Sequence, residues 1–208
     1  MGSIVVNAPR IVPVSVNIIG DSPLIQHAWS HKAKQQMLDK QMKKAAKGRE
    51  AKDPEQDYRD SLYPGASDKT SPYGFPAVAF KAAMVGAARS LDLKMTTLRQ
   101  VFHIETERVP IYGNPQPRED MVRLNGATAD IRYRAEFTPW ASRFTINLNE
   151  AATSVEQILN LLNHAGFSVG VGEWRPERDG PFGRFRVVVP SVVDAVIASM
   201  DPRLDPRA

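Results

Sequence analysis

The chain has no cysteine among its 208 residues. That removes disulfide scaffolds, thiolate metal sites and a cysteine nucleophile, and it suits a reducing compartment. It also lacks any apolar run long enough to span a bilayer, and its N-terminus has no basic region followed by a hydrophobic segment. Met1-Gly2-Ser3 starts like a myristoylation signal, but Val6 stands where Ser or Thr is wanted. There is no phosphate-binding Walker loop, dinucleotide fingerprint or Ser-His-Asp order, and no internal repeat. The expectation is a soluble, cytoplasmic protein.

What is present fits a globular chain. Hydrophobic residues make up 42%, so a packed core is expected, and the length suits one domain over 1–208 with a sizeable insertion. Lys and Arg number 27 against 23 Asp and Glu, a net charge of only +4. So small an excess says little about partners; where the charge is concentrated matters more.

The clearest concentration runs from Trp29 to Lys52. Lys32, Lys34, Lys40, Lys43, Lys44, Lys47, Arg49 and Lys52 face only Asp39 and Glu50 there. Good helix formers predict a helix as far as Gly48, with Trp29, Ala33, Met37, Leu38 and Met42 as a thin apolar stripe. The span from about 28 to 72 reads as an insertion after a first strand, Ile11 to Ile19, whose residues alternate with period 2. After Pro76, the spacing of Val78, Ala82 and Val85 predicts a helix of small residues carrying Lys81 near its start.

Alternation predicts a strand from Gln100 to Val109, with His103, Glu105 and Glu107 on one face. That trio could hold a divalent ion, but it is also what any exposed sheet face shows, and the reading is no metal and no cofactor. Asn125-Gly126 signals a hairpin joining Met121–Leu124 to Thr128–Phe137. Arg132, Arg134 and, from the next strand, Arg143 are expected to share a basic sheet face. Thr153-Ser154-Val155-Glu156 reads as a capping box opening a helix that Gly166 should stop.

The stretch Gly170 to Val189 follows that helix and leads into a last strand, with Ser191 to Met200 as a final helix. It holds Gly170, Gly172, Gly180 and Gly183, Arg175, Arg178, Arg184 and Arg186, and the aromatics Trp174 and Phe182. Glycine lets backbone N–H groups approach an anion, and arginine adds paired donors suited to phosphate. An ordinary long connection has the same composition.

Taken together, the order of elements gives an α+β, ferredoxin-like (RRM-like) βαββαβ plan with an inserted basic helix and an additional hairpin. On that plan, the Gly170 to Arg186 loop resembles the glycine-rich loop of the repeat-associated mysterious protein (RAMP) superfamily, found in CRISPR effector subunits and CRISPR RNA-processing enzymes. Tyr73-Gly74-Phe75-Pro76-Ala77-Val78-Ala79-Phe80-Lys81-Ala82-Ala83-Met84 is similar to that family's segment opening the first helix, with Ala82 in place of the usual glycine after the lysine. The style of the chain is that of a phage or prophage product, acting in the host cytoplasm.

The resemblance implies a non-catalytic protein that binds single-stranded DNA or RNA and forms a homo-oligomer or filament along the strand. The implied binding set is Lys32, Lys34, Lys40, Lys43, Lys44, Lys81, Arg132, Arg134, Arg143, Arg175, Arg178, Arg184 and Arg186 for phosphates, Gly170, Gly172 and Gly183 for backbone contacts, and Trp174, Phe182 or Tyr133 for stacking. Two alternatives stand beside it. One is a metal-independent endoribonuclease using His27 and His31 as base, with Tyr58 or Lys81 assisting. The other is an anti-defence or assembly factor that acts through a protein partner.

Overall fold

The computed structural model describes residues 8–44, 51–65, 70–124 and 128–200. It is a mixed α+β fold of antiparallel sheets and helices. The main sheet contains β1 (Ile11–Gly20), β4 (Phe102–Ile104), β8 (Ala141–Asn149) and β9 (Phe185–Val187), in the order β4-β8-β1-β9, every neighbouring pair antiparallel. A second sheet runs β2 (Leu24–Gln26), β7 (Thr128–Phe137) and β6 (Pro115–Leu124), and a two-stranded sheet pairs β3 (Tyr73–Pro76) with β5 (Arg108–Ile111). Among the described residues, no helix is long and apolar enough to cross a membrane.

Alternation builds the main sheet. Val14, Val16 and Ile18 of β1 and Phe144, Ile146 and Leu148 of β8 point to one face and are buried. On that face lie α3 (Ala77–Ala87) and α5 (Val155–Ser168). The small residues of α3 bring it close enough for Phe80 to reach Phe144, Phe185 and Phe75, with ring centroids at 5.2, 5.6 and 6.1 Å. Ile19 and Ala141 project from the opposite face and are covered by Val193 and Ile197 of α6 (Pro190–Met200). The second face is therefore covered at that end only, and Pro13, Ser15 and Thr145 farther along it are exposed. Pro13 is accommodated because the first half of β1 has only β8 beside it, β9 pairing with Ile18 to Gly20 alone.

The 28–72 span is more broken than its composition predicts. Helix α1 (His31–Gln41) starts at the Ser30 N-cap and ends well before Gly48, with Lys43 in the left-handed region at φ 53°. Lysines three and four residues apart repel and the helix has almost no buried face, so nothing carries it onward. Trp29 lies outside it. A helix not expected from the sequence, α2 (Pro54–Asp60), follows, capped by Asp53, whose carboxylate accepts from the Glu55 and Gln56 amides. Gly48 and the tail beyond Met200 lie outside the described residues.

Four other expectations change. Gln100 to Val109 is not one strand: α4 (Met95–Val101) leads into β4, and after residues 105–107 the chain changes sheets to become β5. Alternation persists through such a change and cannot reveal it. The capping box is shifted by one, with Ser154 and Gln157 exchanging the two bonds. The strands flanking Asn125-Gly126 pair as expected, with β6 longer than expected and the turn itself outside the described residues. Gly166 does not stop α5, which continues to Ser168; it is glycine because an added Cβ would overlap the Phe185 carbonyl of β9.

That last contact makes a paired prediction. Gly166→Ala should destabilise the protein by about 2 kcal/mol or more, because backbone is overlapped and cannot swing away. Gly86→Ala in α3, whose added methyl finds nothing nearer than 3.6 Å, should be neutral or stabilising by up to about 1 kcal/mol. Urea midpoints measure both; equal effects would contradict the packing described.

Candidate nucleic-acid interface

The glycine-rich loop leaves α5 at Val169 and is folded back on itself. Gly170, Gly172 and Gly183 have positive φ of 68°, 84° and 68°. Its amides bond mostly inward: Val171 donates to the Gly183 carbonyl at 3.0 Å, Phe182 to Trp174 at 3.2 Å, Glu173 to Ile25 at 3.1 Å and Gly183 to Pro23 at 2.7 Å. The glycines serve this closeness. A Cβ on Gly172 would lie 2.6 Å from the Ile25 carbonyl, and one on Gly183 would overlap the Val171 carbonyl. The loop is a clasp on β2, and these amides do not form an outward-facing phosphate cradle.

The clasp aims two side chains. Trp174 is held in the left-handed region at φ 50°, a conformation unusual for a bulky residue, and its ring faces Phe182 at 6.3 Å. The Arg118 guanidinium of β6 lies over Phe182 at 4.7 Å and over Trp174 at 5.8 Å, and that of Arg134 over Trp174 at 5.6 Å. These cation–π contacts tie the loop to the β6–β7 ribbon. A line of charge runs behind them: Glu136 to Arg118, Arg118 to Asp120 at 2.8 Å, Asp120 to Arg134 at 3.2 Å, Arg134 to Glu173 at 3.8 Å, and Glu173 to His27 at 3.5 Å. His27 beside it, opposed by burial and assisted by Arg134, holds the Glu173 carboxyl below the usual carboxylate range.

The arginines of the expected basic face are divided between two sheets and are engaged. Arg134 is 3% exposed on β7, Arg132 lies 3.8 Å from Asp130, and Arg143 on β8 bonds Asp194 of α6. Within the loop region Arg175 bonds Glu177 at 2.8 Å and the Gly172 carbonyl at 3.2 Å, while Arg186 bonds Asp21. Arg178 is exposed and Arg184 half-buried. Lys44 pairs with Asp39 at 2.9 Å. The side chains of His31 and Lys32 lie outside the described residues. His103, Glu105 and Glu107 are separately exposed, and no group of three candidate metal ligands occurs among the described residues.

Two grooves gather what the loop does not. One, of about 790 Å³, runs between α3 and the 59–64 segment past Lys34, Lys81, His103 and Arg108. The other, of about 670 Å³, lies between α1 and β7 past Lys40, Met37, Ile131 and Tyr133. They share Ala28, Trp29, Ser30 and Asp60 as a common wall, which the Ala28 amide fastens by donating to the Ser61 carbonyl at 2.8 Å. Trp29 stands on this wall 62% exposed. Neither Lys34 nor Lys40 is held by a carboxylate among the described residues, and Lys43 is exposed beside them. Lys81 lies 3.1 Å from the His103 ring and 5.5 Å from the Phe102 centroid, and burial lowers its ammonium below the ordinary range. Sequence reasoning assigned Trp29 to the helix stripe; the missed signal was a tryptophan standing before a Ser N-cap at the head of a lysine run.

Two outcomes test this charge arrangement. Arg134→Ala should cost roughly 2 to 4 kcal/mol because Asp120 loses a buried partner, whereas the exposed Arg186→Ala should stay within about 0.5 kcal/mol. Glu173 favours the fold as a carboxylate, so its contribution is complete above its unfolded value and is lost as pH falls through its lower folded value. Wild-type stability should therefore fall more steeply below about pH 4.5 than that of Glu173→Gln, read from urea midpoints; identical acid limbs would contradict it.

No protein family matches the chain, and no curated protein matches it. Among solved structures it is similar to the crystal structure of Cmr6 from Pyrococcus furiosus, at 7% identity and a TM-score of 0.45, over 86% of this chain and 98% of that one.

Proposed function

We propose that this protein binds single-stranded nucleic acid without cleaving it, along the two grooves that meet at Trp29. The observation that carries this reading is an exposed tryptophan on the wall between two grooves whose lysines, Lys34, Lys40 and Lys81, form no ion pair with a carboxylate among the described residues. A base stacks on Trp29 whatever its identity, and lysines on either side follow the phosphates. Tyr133, in the second groove, offers a further ring. Duplexes fit less well, since their bases are already stacked.

The fold reading is consistent with this. The antiparallel order β4-β8-β1-β9, with α3 between β1 and β4 and α5 between β8 and β9, supports a ferredoxin-like βαββαβ core in which residues 28–72 are an insertion. The insertion supplies Trp29, Lys34 and Lys40, and the core supplies Lys81. The role expected of the glycine loop moves accordingly, from holding phosphates to holding β2, and with it the 27–30 segment, in place. Assembly of several copies along one strand belongs to the same reading and predicts particles that grow with oligonucleotide length in size-exclusion chromatography.

The reading predicts that Trp29→Ala weakens binding to an unstructured oligonucleotide by about 1 to 3 kcal/mol, or roughly 5- to 150-fold, by fluorescence anisotropy. Replacing Lys34, Lys40 and Lys81 together by alanine should reduce the slope of log affinity against log salt by about 2, at 0.7 per phosphate contact on a single strand. Wild-type affinity in Trp29→Ala together with an unchanged slope would overturn the reading.

A further inference from the structure

Beside the two grooves is a smaller cavity of about 270 Å³ between α3 and the glycine-rich loop. It shares Tyr63 and Pro76 with the first groove and His27 with the second. Its size is below the roughly 300 to 1,000 Å³ of sites for drug-sized ligands, which suits one ring system and not a length of strand. Phe75, Ala79, Ala83 and Val171 give it apolar walls, and Glu173 gives it a carboxylate.

That carboxylate is half-buried and unsaturated. Its neighbours, His27 at 3.5 Å and Arg134 at 3.8 Å, are near enough to keep it charged and too far to occupy its lone pairs with good hydrogen bonds. The other carboxylate lining the cavity, Glu177, is already bound to Arg175. The cavity therefore suits a planar group with two adjacent donors that approach closer than these two cations. Of the common bases, guanine presents this on its pairing edge, as N1–H beside the N2 amino group; adenine and cytosine set an amino group beside an acceptor, and uracil has one imino group between two acceptors.

We propose that this slot receives a single guanine turned out of the bound strand, with Glu173 accepting from its N1–H and N2 amino group. The idea rests on the grooves at Trp29 being the strand path, since the slot shares lining residues with both. Turning out one base costs a few kcal/mol in a duplex and least in a strand that is already single. The result is a protein that holds any sequence along the grooves and sets its register on guanine.

Fluorescence anisotropy with uridine oligonucleotides carrying one central guanine, adenine, cytosine or inosine tests this on the full-length protein. The wild type should bind the guanine oligonucleotide about tenfold tighter than uridine alone, with inosine, which lacks the amino group, in between. Glu173→Gln, which removes the charge and one acceptor, and Ala79→Leu, which fills the slot, should each narrow the difference to about twofold or less. Trp29→Ala should weaken all the oligonucleotides alike. Equal wild-type affinity for the set, a preference for another base, or a guanine preference that survives in both folded variants overturns the slot. Failure to bind any of them overturns the groove reading instead.

Discussion

The seating of the glycine-rich loop on β2 is the contact on which the rest of the site depends. Gly172 approaches Ile25 and Leu24 so closely that no side chain fits between, Gly183 does the same against Val171 within the loop, and the amides of Glu173 and Gly183 donate into the carbonyls of Ile25 and Pro23. One end of the loop is held by α5 and the other by β9, so β2 is fixed to the core through backbone. Everything that follows β2 inherits its position. His27 faces Glu173, Ala28 bonds Ser61, and Trp29 is delivered to the wall between the grooves. Backbone contacts of this kind are insensitive to salt and pH.

Charge is distributed by residue type. Five arginines near the loop and ribbon stack on rings or bond to carboxylates: Arg118 and Arg134 do both, and Arg175, Arg186 and Arg143 bond carboxylates. Their planar, forked donors suit fixed partners. Lys34, Lys40 and Lys81 lie along the grooves, where a flexible ammonium is not held to one fixed partner. A net charge of +4 does not reveal this division.

Much of the architecture was legible in sequence. The period of β1, the small-residue helix after Pro76, the strands around Asn125-Gly126 and the capped helix before the glycine loop all occur where local chemistry places them, because each has a pattern that only one element satisfies. The losses came where one signal fits two structures. Glycine at 166 marks either a helix end or a close contact, and only the position of Phe185 decides. Alternation from 100 to 109 survives a change of sheet. Arg175 and Arg186 looked available because Glu177 is ambiguous beside the first and Asp21 is distant in sequence from the second. Trp29 was visible as a residue, but its exposure depends on β2, the 60–61 segment and α1 meeting, which no local pattern encodes.

The central claim is that a strand runs over Trp29 and not along the outer face of the glycine loop. Photocrosslinking of the protein to an oligonucleotide containing 4-thiouridine, with the modified peptides identified by mass spectrometry, tests it directly. The account predicts crosslinks at Trp29 and Tyr133, which both line the groove between α1 and β7. Crosslinks confined to Arg178, Phe182 and Arg184, with none at Trp29, would contradict it.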